Sequence, residues 1–384
     1  MKKHLNREIN LNQLTTLVIL FLIGGSAMKS TARFAGQNVW IVYLGASLIG
    51  ALLFTMYYRI AKIHQFKGLP EVLTETFGTA FGKVLLLVYA LFFLFRMITV
   101  GNYMSEMAQE TLMFGANHRL VIAMLLSTIV IGCLYGLNII GRTSEIFLFI
   151  IIVCLIPFLL SFVTTDAFKF SNLVPVLAEG FPGITNDIVR SSFFPFGELV
   201  VFLMLFPYIS KKQIGNNKVL KRGYIGIGIA VLIMIAIDMT IIGLIGSTLT
   251  RNFQYPFYNA MQLAGLKGFL ERLDPLAVII MVSTEFFKLS IYLYITVIAL
   301  EALHKKFKYM WVLGILTVFT FIAAPLIQHI DRKFLLETIP FKILPIFELF
   351  IPLLIWIASE LRFRKQKQKA PTQKAQVQMT PGPV

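Results

Sequence analysis

The chain has 384 residues, 57% of them hydrophobic and only 14% charged, with a mean hydropathy of +0.77 and a formal charge of +16. Soluble domains are closer to half apolar and about a quarter charged, so this composition excludes an ordinary soluble enzyme or binding domain. The positive charge would suggest nucleic acid in a soluble protein, but here it sits in short connections between long apolar runs.

A helix needs about 20 apolar residues to cross a bilayer core. Ten runs meet that length and predict helices at 11–33, 38–60, 81–106, 118–137, 141–163, 184–209, 220–247, 274–302, 308–328 and 338–360. The expected fold class is all-α: a polytopic membrane protein of about ten transmembrane helices. The first run, from Leu11, reads as a retained helix rather than a cleaved leader. Its interior carries Gly24-Gly25-Ser26, where either close helix packing or a break is expected. Span 3 carries Arg96, deep enough that its head cannot easily reach the interface. Cys133 and Cys154 fall in separate apolar runs, which gives no disulfide framework.

Span 6 contains Ser191-Ser192-Phe193-Phe194-Pro195-Phe196-Gly197, a second interruption, followed at once by Glu198. Paired interruptions at matching positions in two halves point to a midplane site between inverted repeats. The halves are expected at 11–163 and 184–360, each of five helices, flanked by a cytoplasmic N-terminus at 1–10 and a basic disordered cytoplasmic tail at 361–384. Span 7 carries Asp238 and needs an internal polar partner for it. Span 8 carries Glu285 and Lys288, three apart and able to pair with each other. Alternatively, Lys288 holds a fixed positive charge between spans 8 and 1, where a sodium-coupled protein of this architecture would place a cation. Glu348, on span 10, reads as shallower or ambiguous in depth.

Ionisable groups at membrane depth mark a site or an internal pair. Arg96 is open to a ligand carboxylate or to pairing with Glu198 or Glu285. Glu198 is open to capping the second half-helix or to titrating with function. Phe193, Phe194, Phe196, Phe286, Phe287 and Tyr292 face core or lipid by base rate, with one or two near the breaks lining a pocket.

With the N-terminus inside, 22 of the 35 Lys and Arg residues fall in inside connections and the tail. This positive-inside bias places both termini in the cytoplasm and makes anionic membrane lipid the partner of the basic loops, with no nucleic acid. Trp40, Trp311 and Trp356 fall near span ends, as interfacial anchors do. None of the five histidines has metal-ligand spacing with another on one helix. Zinc-protease, nucleophile-elbow and Walker motifs are missing, so no cofactor, metal or catalytic residue is expected and the chain does not read as an enzyme.

Several stretches resemble a known family: Q-L-T-T-L-V-I-L-F-L-I-G-G-S from Gln13, L-P-E-V-L-T-E-T-F-G-T-A-F-G-K at 69–83, G-L-N-I-I-G-R-T-S-E-I-F at 136–147, N-L-V-P-V-L-A-E-G at 172–180, and F-G-E-L-V-V-F-L-M-L-F-P from Phe196 with Lys211-Lys212 after it. In order and spacing they resemble the B subunits of bacterial spore germinant receptors, the GerAB type, a branch of the amino acid–polyamine–organocation (APC) transporter superfamily. The resemblance implies a LeuT-like fold of five plus five helices with helices 1 and 6 broken. It implies recognition of a small-molecule germinant, most often an amino acid, in the spore inner membrane or cell membrane, with A and C receptor subunits as partners. Carried onto this chain, the pocket would involve Gly24, Gly25 and Ser26; Phe93, Arg96 and Met97; Phe194, Phe196 and Glu198; and Ser283, Thr284, Glu285 and Lys288. Proton-coupled amino acid transport on the same fold is the alternative activity.

Overall fold

The computed structural model describes residues 7–362 except 31–32, 179, 216, 265–271, 305 and 328–341. The tail at 363–384, His4, His329 and the start of span 10 therefore lie outside the described residues, as do residues 1–6 of the N-terminal segment. The described chain is helical: α1 (Leu11–Lys29), α2 (Val39–Ile63), α3 (Leu69–Phe77), α4 (Thr79–Thr111), α5 (His118–Tyr135), α6 (Leu137–Leu159), the short turn α7 (Ser161–Thr164), α8 (Pro182–Ser191), α9 (Phe202–Leu205), α10 (Lys218–Asn252), α11 (Pro256–Leu263), α12 (Asp274–Leu303), α13 (Tyr309–Ile327) and α14 (342–362). Eight of the described helical stretches are long and apolar enough to cross a membrane, counting 182–208 as one; α1 is shorter, apolar over Leu11–Ser26.

The helices form a central group and a surround. In α1 every residue from Leu17 to Ile23 is buried, as are Leu199 to Phe206 and nearly all of α12 from Thr284 to Ala299. Helices apolar all round belong in the interior, and α4, α6 and α10 pack around these three. On the outer faces Leu48, Leu52, Phe149, Leu232 and Leu326 are largely exposed. Exposed apolar surface on this scale needs a covering phase, and lipid supplies it.

Of the two expected breaks, one is absent and one is present. α1 does not break at Gly24-Gly25-Ser26; it runs on to Lys29 and ends at Ser30, which takes a left-handed backbone (φ 48°, ψ 80°). The glycines serve close packing, because α1 keeps its own hydrogen-bond ladder and presses against α12. Span 6 does break as expected. α8 passes into a π turn at Ser192–Phe196 in which Phe194 leaves helical geometry (φ −125°, ψ 108°), and a 3-10 segment, Gly197–Val201, follows. Pro195 has no N–H to continue the ladder.

The connection at 69–83 holds an unexpected helix. α3 buries Leu69, Pro70, Val72 and Leu73 and turns Glu71 outward. It is latched at its far end. His64, which ends α2 and is 1% exposed, bonds Glu75 through Nδ1 and Ser359 of α14 through Nε2, both at 2.9 Å, while Lys67 reaches Glu75 at 2.5 Å. At the same end of the bundle Ile9 pairs with Ile209, giving and taking backbone hydrogen bonds with Tyr208 and Ser210. Arg7 reaches Tyr208 and Glu301 at 3.5 Å and lies over the Tyr309 ring.

Partial burial disfavours ionised Glu75, but the hydrogen bonds from Lys67 and His64 outweigh it and hold its carboxyl below the ordinary glutamate range. A lowered folded-state pKa gives a stabilisation that is present above pH 4.5 and lost as pH falls through the folded value. Amide exchange of α3 is therefore expected to quicken on acidification through this range. Glu75→Gln should exchange faster at neutral pH and lose this component of the pH dependence; an unchanged α3 in that variant would remove the latch from the account.

Candidate functional site

The break in span 6 fixes where Glu198 sits. With Phe194 non-helical and Gly197 opening the 3-10 segment, the Glu198 side chain enters the space between α4 and α12, where it is 1% exposed. Oε1 accepts from Arg96 Nε at 2.9 Å, from Arg96 Nη2 in a second close contact, and from the Tyr292 hydroxyl at 2.7 Å. Oε2 accepts from Lys288 Nζ at 2.6 Å. The carboxylate makes no cap bond to the following segment, so the capping role open in the sequence is not the one taken. Arg96 takes the ion-pair role. Lys288 does not pair with Glu285 on its own helix: the i, i+3 spacing allowed it, but a second cation on Glu198 is the tertiary solution.

Two cations share one carboxylate in this cluster. Aromatic faces border it: Phe194 lies 5.2 Å from the Arg96 guanidinium and 4.7 Å from the Lys288 ammonium, and Phe21 lies 5.0 Å from the latter. Desolvated cation–π contacts of this kind are worth about 2 kcal/mol or more.

α1 closes the site. A Cβ on Gly25 would stand 2.9 Å from Lys288 Nζ and 2.8 Å from Phe194 Cζ, and one on Gly24 would meet the Thr284 carbonyl oxygen at 3.3 Å and Glu285 Cδ at 3.6 Å. Only glycine lets the helix come this near. Ser26 points to another neighbour, the Tyr43 hydroxyl at 2.7 Å, which in turn donates to Asp238 Oδ2 at 2.6 Å. This supplies the polar partner that Asp238 lacked in the sequence.

The geometry thus gathers Gly24, Gly25, Arg96, Phe194, Glu198, Glu285 and Lys288 around one point. It sends other expected residues elsewhere. Met97 faces an apolar crevice beside Leu126, Leu289 and Ala324. Phe93 packs with Tyr89 and Phe92. Phe196 lies against Gly50 of α2. Thr284 spends its hydroxyl on the Ile280 and Met281 carbonyls of its own helix. Ser283 lies about 140° round α12 from Lys288 at 3.6 residues per turn.

Two members were noted in the sequence but not assigned to the pocket. Tyr292 had a signal, since it stands one turn after Lys288 on the same face. Glu348 is not shallow: it is fully buried, and its carboxyl lies where a Gly197 side chain would go. Tyr57 ties the two backbones, donating to the Glu348 carbonyl at 2.5 Å and the Gly197 carbonyl at 3.1 Å. Neither carboxyl oxygen of Glu348 has a hydrogen-bond partner among the described residues.

Removing one partner of a buried charge network leaves the others uncompensated, at about 3–5 kcal/mol. Glu198→Gln is expected to lower the melting temperature sharply, and adding Lys288→Met to it should recover part of the loss. Additive losses in the double variant would show that the two residues do not form one network.

Three comparisons place the chain among known proteins. The model of the "Spore germination protein" family matches residues 8–332. Spore germination protein KB of Bacillus subtilis (strain 168) is 26% identical over 374 residues, covering 96% of this chain and 98% of that protein. Spore germination protein A2 of the same organism is 27% identical over 270 residues, covering 69% of this chain and 71% of that protein. Among solved structures, Mhp1, a nucleobase-cation-symport-1 family transporter in a closed conformation with bromovinylhydantoin bound, matches with a TM-score of 0.63 at 14% identity, over 87% of this chain and 75% of that one. That likeness carries the fold, which is the LeuT type, and the family match over most of the sequence carries the rest: this chain is a multi-pass membrane protein that belongs to the spore germination protein family.

Proposed function

We propose that the chain is a nutrient-sensing subunit that holds a small molecule, an amino acid, at the span 6 break and passes its occupancy to partner subunits of the A and C kind. On this reading it does no chemistry on the ligand, lies in the spore inner membrane and keeps both termini in the cytoplasm. The observation that carries it is the pair of cations on one carboxylate at the break. Arg96 and Lys288 share one internal carboxylate, Glu198, beside the two glycines of α1. A ligand carboxylate is chemically equivalent to Glu198 and competes with it for the same donors. Exchange would release Glu198, and with it the 3-10 segment Gly197–Val201 that carries it. A ligand shifts a conformational equilibrium only by its difference in affinity for the two states, and this exchange supplies one. The halves 11–163 and 184–360 are the bodies that would move. The bound small molecule in Mhp1 supports the fold's capacity for such a site.

Proton-coupled amino acid transport is the second reading. It is favoured by Glu348, a fully buried carboxyl with no hydrogen-bond partner among the described residues, placed against the Gly197 hinge. In the membrane interior such a group is far less costly protonated, and a group that gains and loses a proton there would couple acidity to the hinge. Under this reading, reconstituted protein takes up labelled amino acid down a proton gradient and Glu348→Gln loses the gradient dependence. Uptake that is missing in liposomes, with ligand binding intact, leaves the sensor.

The melting temperature of the purified chain, measured against a panel of amino acids, should rise with concentration for those that bind. The Gly25→Trp variant should lose that increment, since its side chain must occupy the space of Phe194 and Lys288. Its baseline will also fall, so the readout is the increment alone. Lys288→Met should weaken the response, and an unaltered response would detach Lys288 from ligand recognition.

A further inference from the structure

Beyond the Glu198 cluster, one more carboxyl lies deep in the bundle with half of its bonding capacity unused. Asp238, midway along α10, is 1% exposed. Its Oδ2 accepts from Tyr43, which is bonded in turn to Ser26. Its Oδ1 has no hydrogen bond of good geometry, and the Ser30 hydroxyl, likewise 1% exposed, stands beside the same carboxyl as a weak donor. Among the described residues no Lys, Arg or His forms an ion pair with Asp238. The surroundings deepen the deficit. Ser30 is where α1 ends, and the C-terminal end of a helix carries partial negative charge.

A carboxylate, a helix C-terminus and a serine hydroxyl in one dry place call for positive charge that no ion pair among the described residues provides. The oxygens are hard donors, which suit alkali and alkaline-earth ions rather than softer metals. Only one carboxylate is present here, and no group of three or more His, Cys, Asp or Glu able to hold a metal ion is found among the described residues, so a single charge is balanced and a double one is not. We propose that Asp238 Oδ1 and Ser30 Oγ, at the C-terminal end of α1, form a binding site for a monovalent alkali cation, Na+ or K+. The Lys288 ammonium lies against α1 at Gly25, while the link to Asp238 leaves α1 from Ser26, about 100° further round the helix. A cation here fastens the end of α1 to α10 and, through Tyr43, to α2. The site stands independently of the ligand proposed above.

The test uses the purified full-length chain in detergent, with NaCl, KCl or LiCl against choline chloride at equal ionic strength. The expected result is a saturable rise in melting temperature with one alkali cation over choline, absent in Asp238→Asn and weakened in Ser30→Ala. Should Asp238→Asn fail to fold, the wild-type comparison and Ser30→Ala still decide. Equal melting temperatures in all four salts overturn the proposal, as does an alkali increment that survives both substitutions. A stability that follows pH but not the identity of the cation would show instead that a proton neutralises Asp238, and that also overturns it.

Discussion

The interior of this protein is organised by the need to keep one carboxylate in a dry membrane core. Glu198 is fully enclosed, and an unpaired charge at that depth would be expelled or neutralised. It stays because four donor contacts from three side chains converge on its two oxygens. Those donors come from α4 and α12, while the carboxylate comes from the broken span between them. The network thus fastens the discontinuous element to the two long helices beside it. Breaking span 6 frees backbone groups, but it also turns Glu198 inward, which an unbroken helix through Pro195 would not do.

The aromatic residues complete that arrangement. Phe194 stands at the break itself, in the one non-helical conformation of the π turn, and its ring lies near both cations. The residue that interrupts the helix is also the one that borders both cations. Gly25 is then a necessity, because any side chain there would displace the same ring and the same ammonium. Break, charge network and glycine pair are three expressions of one packing solution.

The spans and their order were legible in the sequence because lipid imposes regular helix on a chain that crosses it, and that constraint writes itself as apolar length. The break at Phe194–Pro195 was legible because proline removes a donor wherever it falls. The break assigned to Gly24-Gly25 was not real, because glycine in a membrane helix marks close approach as readily as interruption, and only the partner surface decides which. Pairing was the least legible. Glu285 and Lys288 carry an ideal local spacing, yet the lysine bonds to a residue 90 positions away. Glu348 looked shallow because its depth depends on α14 packing over Gly197, a tertiary fact with no local signature. α3 was hidden for a related reason: nine residues in a basic connection read as loop until the buried face of Leu69, Val72 and Leu73 has something to cover.

The continuity of α1 bears on how the two polar clusters act together. Gly24 rests on the Thr284 carbonyl of α12, Gly25 on Lys288 and Phe194, and Ser26 on Tyr43 and through it Asp238. Three consecutive residues therefore touch both clusters, which meet different faces of the helix. A helix broken at those residues would let the clusters relax separately. An unbroken one transmits displacement, because a shift that opens room at Lys288 must also move Ser26 against Tyr43. Whatever loosens Glu198 from its donors is consequently felt at Asp238, and whatever neutralises Asp238 sets the position from which α1 meets Lys288.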